Sequence, residues 1–115
     1  MKNINFETAE SSLDFINASK KYSGKNYNYL HNLTIENCTF KGSGNDSSVV
    51  AIRTRQAYNV VIKNCEATDL HSFGQLTSTV GMLLEKVTVN AGEGGFNFLS
   101  STNGEVVVNE CNVTA

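Results

Sequence analysis

The chain has 115 residues and a mass of 12.5 kDa, enough for one domain that buries roughly two thirds of its unfolded surface, with no room for a second core. Nine Lys and Arg against eleven Asp and Glu give a net charge of -2, which excludes a strongly basic nucleic-acid sleeve and a strongly acidic nucleic-acid mimic. Pro is absent while Asn occurs 15 times and Gly 9 times, so the turns must be made by residues that tolerate left-handed backbone. No run approaches the ~20 apolar residues of a membrane span, and the opening MKNINFETAESS carries acids where a secretion signal needs an apolar stretch. The expected location is the cytoplasm.

In chain order, residues 1–29 read as an N-terminal strand and cap segment. Ile4 and Phe6 alternate as in a strand. Across 8–22, Ala9, Leu13 and Ile16 fall at helical spacing behind Ser11 and Ser12 as N-caps, and a Lys-rich last turn runs toward Gly24, which predicts a short capping helix. The competing reading is an imperfect extra coil, with Ile4 and Phe6 in one strand and Phe15 and Ile16 in another. KKYSGKNYNY (20–29) interleaves three Lys with three Tyr, so Tyr27 and Tyr29 are candidate contacts for a protein surface, a base or a sugar.

Residues 30–115 form a repeat region. Four related octets occur there: LTIENCTF (33–40), VVIKNCEA (60–67), MLLEKVTV (82–89) and VVVNECNV (106–113), with starts 27, 22 and 24 residues apart. A fainter series precedes them by about ten residues, as VVAIRT (49–54), a poorer counterpart at 73–77, and GFNFLS (95–100). Each unit therefore holds two short β-prone runs separated by Gly, Asn and Ser. With no helical period inside the units, stacked β-coils explain them better than leucine-rich or helical repeats.

IENCTF and IKNCEA closely resemble the I-x-N-C-x-F-like stretch carried by coils of the right-handed parallel β-helix family, the pectate-lyase-like repeat. The resemblance covers about residues 30–115. It implies an all-β chain folded as a short right-handed parallel β-helix of about four to five coils, here with the N-terminal capping helix. The third octet departs from the pattern, with Lys86 and Val87 where Asn and Cys stand elsewhere; the fourth has Glu110 but keeps Cys111. The resemblance leaves activity open, because the fold hosts lyases, hydrolases, phage tail proteins and non-enzymatic modules.

Within an octet, the strand period of two sends Leu33 and Ile35 inward and Thr34 and Glu36 outward, and a turn at Asn37 resets the parity so that Cys38 and Phe40 also point in. Like positions then stack into inward ladders: Leu33, Val60, Met82, Val106; Ile35, Ile62, Leu84, Val108; Cys38, Cys65, Val87, Cys111; and Phe40, Ala67, Val89, Val113. The cysteines read as small buried hydrophobes. Asn37 and Asn64 read as turn residues whose amides bond from coil to coil. Outward, Glu36, Lys63 and Glu85 alternate in sign, while Thr34, Val61, Leu83 and Val107 make an apolar stripe that the chain's own N-terminal segment, a partner or a second copy should cover.

Catalytic chemistry finds little support. The three Asp, at 14, 46 and 69, lie on different coils, whereas the pectate-lyase-like enzymes gather Asp for calcium. Asp69 with His71 and nearby Glu66 is the best acid/base grouping, and its expected role is solvation. His31 has no fixed partner. No metal-ligand spacing and no cofactor motif occurs, and AGEGGF (91–96) lacks the Lys of a phosphate loop. Arg53 and Arg55 lie two apart on one strand face, suited to a carboxylate, a phosphate or an acidic protein patch.

The expectation is therefore a non-catalytic protein-interaction module. Its contact residues are Val61, Leu83, Val107, Arg53, Arg55, Tyr27 and Tyr29, and small size points to a phage or mobile-element protein that binds and inhibits a host protein. The C-terminal coil, with no cap after Val113, should stack on another chain, most simply an identical copy, unless the sequence is a fragment. The alternative is a carbohydrate-recognition fragment of a polysaccharide-active enzyme or phage tail protein.

Overall fold

The computed structural model describes residues 1–18, 30–44, 46–55, 57–77, 80–92, 96–99 and 103–114. The described elements are all strands: β1 (Asn5–Glu7), β2 (Ser12–Ala18), β3 (Leu30–His31), β4 (Thr34–Glu36), β5 (Thr39–Lys41), β6 (Ser48–Arg55), β7 (Ala57–Leu70), β8 (Ser72–Thr77), β9 (Val80–Ala91), β10 (Phe96–Leu99), β11 (Asn103–Asn109) and β12 (Asn112–Thr114). Among the described residues no helix is long and apolar enough to cross a membrane.

The chain visits two sheets in alternation. One is eight-stranded, in the order β1-β5-β7-β9-β11, with β3 and β4 also on β7 and β12 on β9; the other is four-stranded, in the order β10-β8-β6-β2. The strand pairs are parallel. Registers place Thr34 beside Val61, Val61 beside Leu83 and Leu83 beside Val107, so the spacings of the octets are those of neighbouring strands. The fainter series is the second sheet, with Arg53 beside Gln75 and Gln75 beside Asn97.

The 14-residue β7 bends because three of its residues, Asn59, Asn64 and Asp69, have φ of 55°, 51° and 59°. Each resets the alternation of side chains, so Lys63 and Asn64 both face out before Cys65 turns in. The inward side chains form one core that includes Ile35, Cys38, Phe40, Ile52, Ile62, Cys65, Phe73, Leu84, Val87 and Val89. The four inward ladders read from the octets should stay covered throughout, and their last rung departs. Val108 and Val113 stand in register with buried Leu84 and Val89 but are exposed, because no further strand lies on that side among the described residues. The side chain of Val106 lies outside the described residues.

The capping helix expected over 8–22 is not formed. Residues 12–18 are β2, which pairs with β6 from Ser12 beside Ser48 to Ala18 beside Thr54; residues 19–22 lie outside the described residues. Helical spacing of Ala9, Leu13 and Ile16 loses to the open edge of β6, which offers a row of backbone bonds that an isolated short helix cannot match. Of the alternative's two strands, Phe15 and Ile16 lie in β2 and Phe6 in β1, while Ile4 falls just before β1; Phe6 stacks on Phe40 at 5.0 Å, and Phe15 lies 5.7 Å from Phe6 and 5.9 Å from Phe40.

Candidate functional site: an apolar groove across parallel strands

The outward positions Thr34, Val61, Leu83 and Val107 form one ladder across β4, β7, β9 and β11, and each of these side chains is half-buried. A groove of about 330 Å³ runs over this ladder, lined by Asn59, Val60, Val61, Gly81, Met82, Leu83 and Val107. Three of the sequence-derived contact residues, Val61, Leu83 and Val107, are thus brought together.

The groove has a polar border on either side. Two residues earlier along the strands, Asn59 Nδ2 donates to Asn32 Oδ1 at 3.1 Å. Asn32 and Asn59 have φ of 58° and 55°, and the equivalent residue on β9 is Gly81, with φ 76°. A Cβ at Gly81 would stand 3.0 Å from Asn59 Oδ1, so the missing side chain both deepens the groove and bares that amide oxygen toward it. Two residues later along the strands, Lys63 Nζ lies 3.9 Å from Glu85 Oε2, and Lys2 Nζ lies 3.4 Å from Glu36 Oε2. The groove thus has an apolar floor between an amide border and a charged border.

Sequence reasoning misses Asn32, Asn59 and Gly81. The signal is present, since each directly precedes an octet, but the octet pattern points to Asn37 and Asn64 for the coil-to-coil amide bond. Those two residues do take left-handed backbone, at φ 55° and 51°, while the amide-to-amide bond is made one corner earlier.

Arg53 is engaged within its own chain. Its Nε donates to Asp14 Oδ2 at 2.8 Å and its Nη2 to Asp14 Oδ1 at 3.3 Å, and its Nη1 donates to Gln75 Oε1. This ties β2, β6 and β8 across their outer face and leaves the guanidinium few donors for a partner. Arg55 ends β6 beside Thr77, two residues along from Arg53. Tyr27 and Tyr29 lie outside the described residues.

Cys38 and Cys65 are buried free thiols and Cys111 is half-buried. Each donates to the carbonyl two residues back: Cys38 to Glu36 at 3.4 Å, Cys65 to Lys63 at 3.2 Å and Cys111 to Asn109 at 3.5 Å. Burial, together with Cys38 and Glu36 nearby, pushes the Cys65 thiol up to about 11 from an ordinary value of 9.0, the opposite of what a nucleophilic thiol needs. Asp69 and Glu66 are exposed and His71 is half-buried. Among the described residues no group of three or more His, Cys, Asp or Glu comes together in a way that could hold a metal ion. Comparison with protein families, with curated proteins and with solved structures finds no match for this chain.

Proposed function

We propose that the protein is a non-catalytic protein-interaction module, built as a short right-handed parallel β-helix of the pectate-lyase-like kind, that acts in the cytoplasm by binding and inhibiting a host protein, as a small phage or mobile-element protein would. The observation that carries the reading is the groove in which Val61, Leu83 and Val107 stand side by side on three strands. A rigid parallel sheet holds these side chains in fixed positions, so a partner's apolar side chain can be received without ordering a loop first. The bared Asn59 oxygen beside Gly81 offers an acceptor for a backbone N–H of the partner, and the Lys63–Glu85 pair gives the rim its polarity. Covering half-buried Val and Leu side chains contributes on the order of 1 kcal/mol each, so a few such contacts are enough for a transient inhibitor once the partner adds its own.

Two substitutions test it. Leu83→Lys puts a charge on the floor and should weaken a purified partner at least about 100-fold, the scale of a buried unpaired charge at an interface. Gly81→Asn tests the groove without a charge: Asn accepts the left-handed backbone, its amide can donate to Asn59 Oδ1, and its side chain fills the groove. The added Cβ crowds Asn59 Oδ1 at 3.0 Å, so folding is checked by β circular dichroism, and the folded variant should lose the partner. Partner binding unchanged in both folded variants, or firm binding on a glycan array by the wild type, would overturn the reading.

A further inference from the structure

We propose that the edge formed by β11 and β12 is completed by the first segment, residues 1–7, of a second copy of this chain, so that copies stack head to tail. The contact does not use the groove, and it deepens the reading of the protein as an interaction module only by naming a second surface and its occupant.

Among the described residues, the large hydrophobic side chains left exposed are Met1 (46%), Ile4 (38%), Val108 (54%) and Val113 (46%). All four lie on the two outermost strand layers of the eight-stranded sheet, two at each end. The registers fix how the ends would meet. Lys2 stands beside Glu36, and that ladder runs through Lys63 and Glu85 to Asn109. Phe6 stands beside Phe40, and that ladder runs through Ala67 and Val89 to Val113. One offset therefore satisfies both: Lys2 of the second copy over Asn109, Met1 over Val108, Ile4 over Cys111 and Phe6 over Val113. Every apolar side chain bared at one end meets an apolar or thiol side chain at the other.

The backbone continues in the same phase. Thr39 N donates to Ile4 O at 3.0 Å and Glu66 N donates to Cys38 O at 3.1 Å. Asn5 is the counterpart of Thr39 one layer earlier, so in a parallel ladder its N–H points away from β5 and can donate to Cys111 O of the copy below. Charge selects the pairing of unlike ends. Residues 103–114 include Glu105 and Glu110 with no Lys or Arg, whereas residues 1–7 carry Lys2 as well as Glu7, so two β11–β12 edges facing each other would oppose acids with no cation to answer them, which the head-to-tail contact avoids.

The four-stranded sheet reaches only to β10 at this end, so the joint is made by the larger sheet alone and dissociates on dilution. Because the two surfaces differ, the contact does not close on itself, and addition continues beyond a pair.

Sedimentation velocity over rising concentration of the 115-residue chain should show species growing past the dimer. Val108→Lys and Val113→Lys block one end and Ile4→Lys the other. Each should raise the concentration for half-association about tenfold or more with the β circular dichroism retained, since the substituted side chains are exposed. An equimolar mixture of Val108→Lys and Ile4→Lys still has one intact pair of ends and should stop at the dimer. Leu83→Lys should associate as wild type, which separates failure of this proposal from failure of the groove. A monomer at every concentration, a wild type that stops at the dimer, or Ile4→Lys associating as wild type would each overturn the head-to-tail contact.

Discussion

Asn3, Asn37, Asn64, Lys86 and Glu110 occupy one corner of five successive strand layers and share φ of 58°, 55°, 51°, 53° and 52°. The corner needs left-handed backbone because the strand must turn while keeping its next side chain pointed at the core, and Asn takes that conformation with little penalty where Lys and Glu do not. Cys38, Cys65 and Cys111 follow the corner directly and donate back to the carbonyl before it, which explains why Cys recurs after the corner. In the fourth of these layers, that of the third octet, Lys86 and Val87 lose both features. Lys86→Asn should therefore stabilise the protein by about 0.5–1 kcal/mol. The Lys86–Glu110 contact that it removes is 4.0 Å long between largely exposed groups and contributes little. A higher urea midpoint at unchanged slope is the expected result; an equal or lower midpoint would show that the corner is not strained by Lys.

At the scale of elements, the second sheet depends on β2, which lies on its outside edge. Arg53 joins β6 to β2 through Asp14 and to β8 through Gln75, and Asn17 Nδ2 donates to Asp14 Oδ2 at 3.0 Å. Arg53→Ala leaves the Asp14 carboxylate half-covered without its bidentate partner and should cost about 1–2 kcal/mol, read as a drop in melting temperature. Hydrogen exchange should place the added opening in 12–18; loss spread evenly over all strands would contradict an anchoring role. The octets are legible in the amino-acid order because inward alternation, the Asn corner and the Cys recur together, and a repeated pattern is strong where one copy is weak. β2 is not decided by the sequence, because Leu13 and Ile16 fit a helix as well as a strand, and the deciding term is the edge of β6, where Ser12 pairs with Ser48. Val61, Leu83 and Val107 are legible as outward apolar residues. The depth of their groove is not, since it comes from the missing side chain at Gly81 against Asn59. The anchoring role of Arg53 escapes the sequence for the same non-local reason: its partners Asp14 and Gln75 lie on two other strands.

For the molecule as a whole, β7 is paired on both of its sides in the larger sheet, so a buried group on it reports on global unfolding rather than on a local opening. Cys65 is such a group, buried between Cys38 and Val87 in register, and its thiol is pushed up to about 11 from 9.0, chiefly by burial. Below the unfolded value both states keep the proton and this site adds no pH dependence. Between 9.0 and about 11 the unfolded chain releases the proton while the folded chain holds it, so the unfolded state binds fewer protons and stability falls as pH rises. Above the folded value the loss is complete, at roughly 3 kcal/mol by linkage. Urea unfolding at intervals from neutral pH to pH about 11 should show a decline beginning near the unfolded thiol value. Tyr and Lys titrate in the same range, so Cys65→Val is the control: Val87 already fills the equivalent position one layer on, and this variant should fold while losing this part of the alkaline slope. An alkaline slope identical in wild type and Cys65→Val would mean that the buried thiol is not what couples the stack to pH.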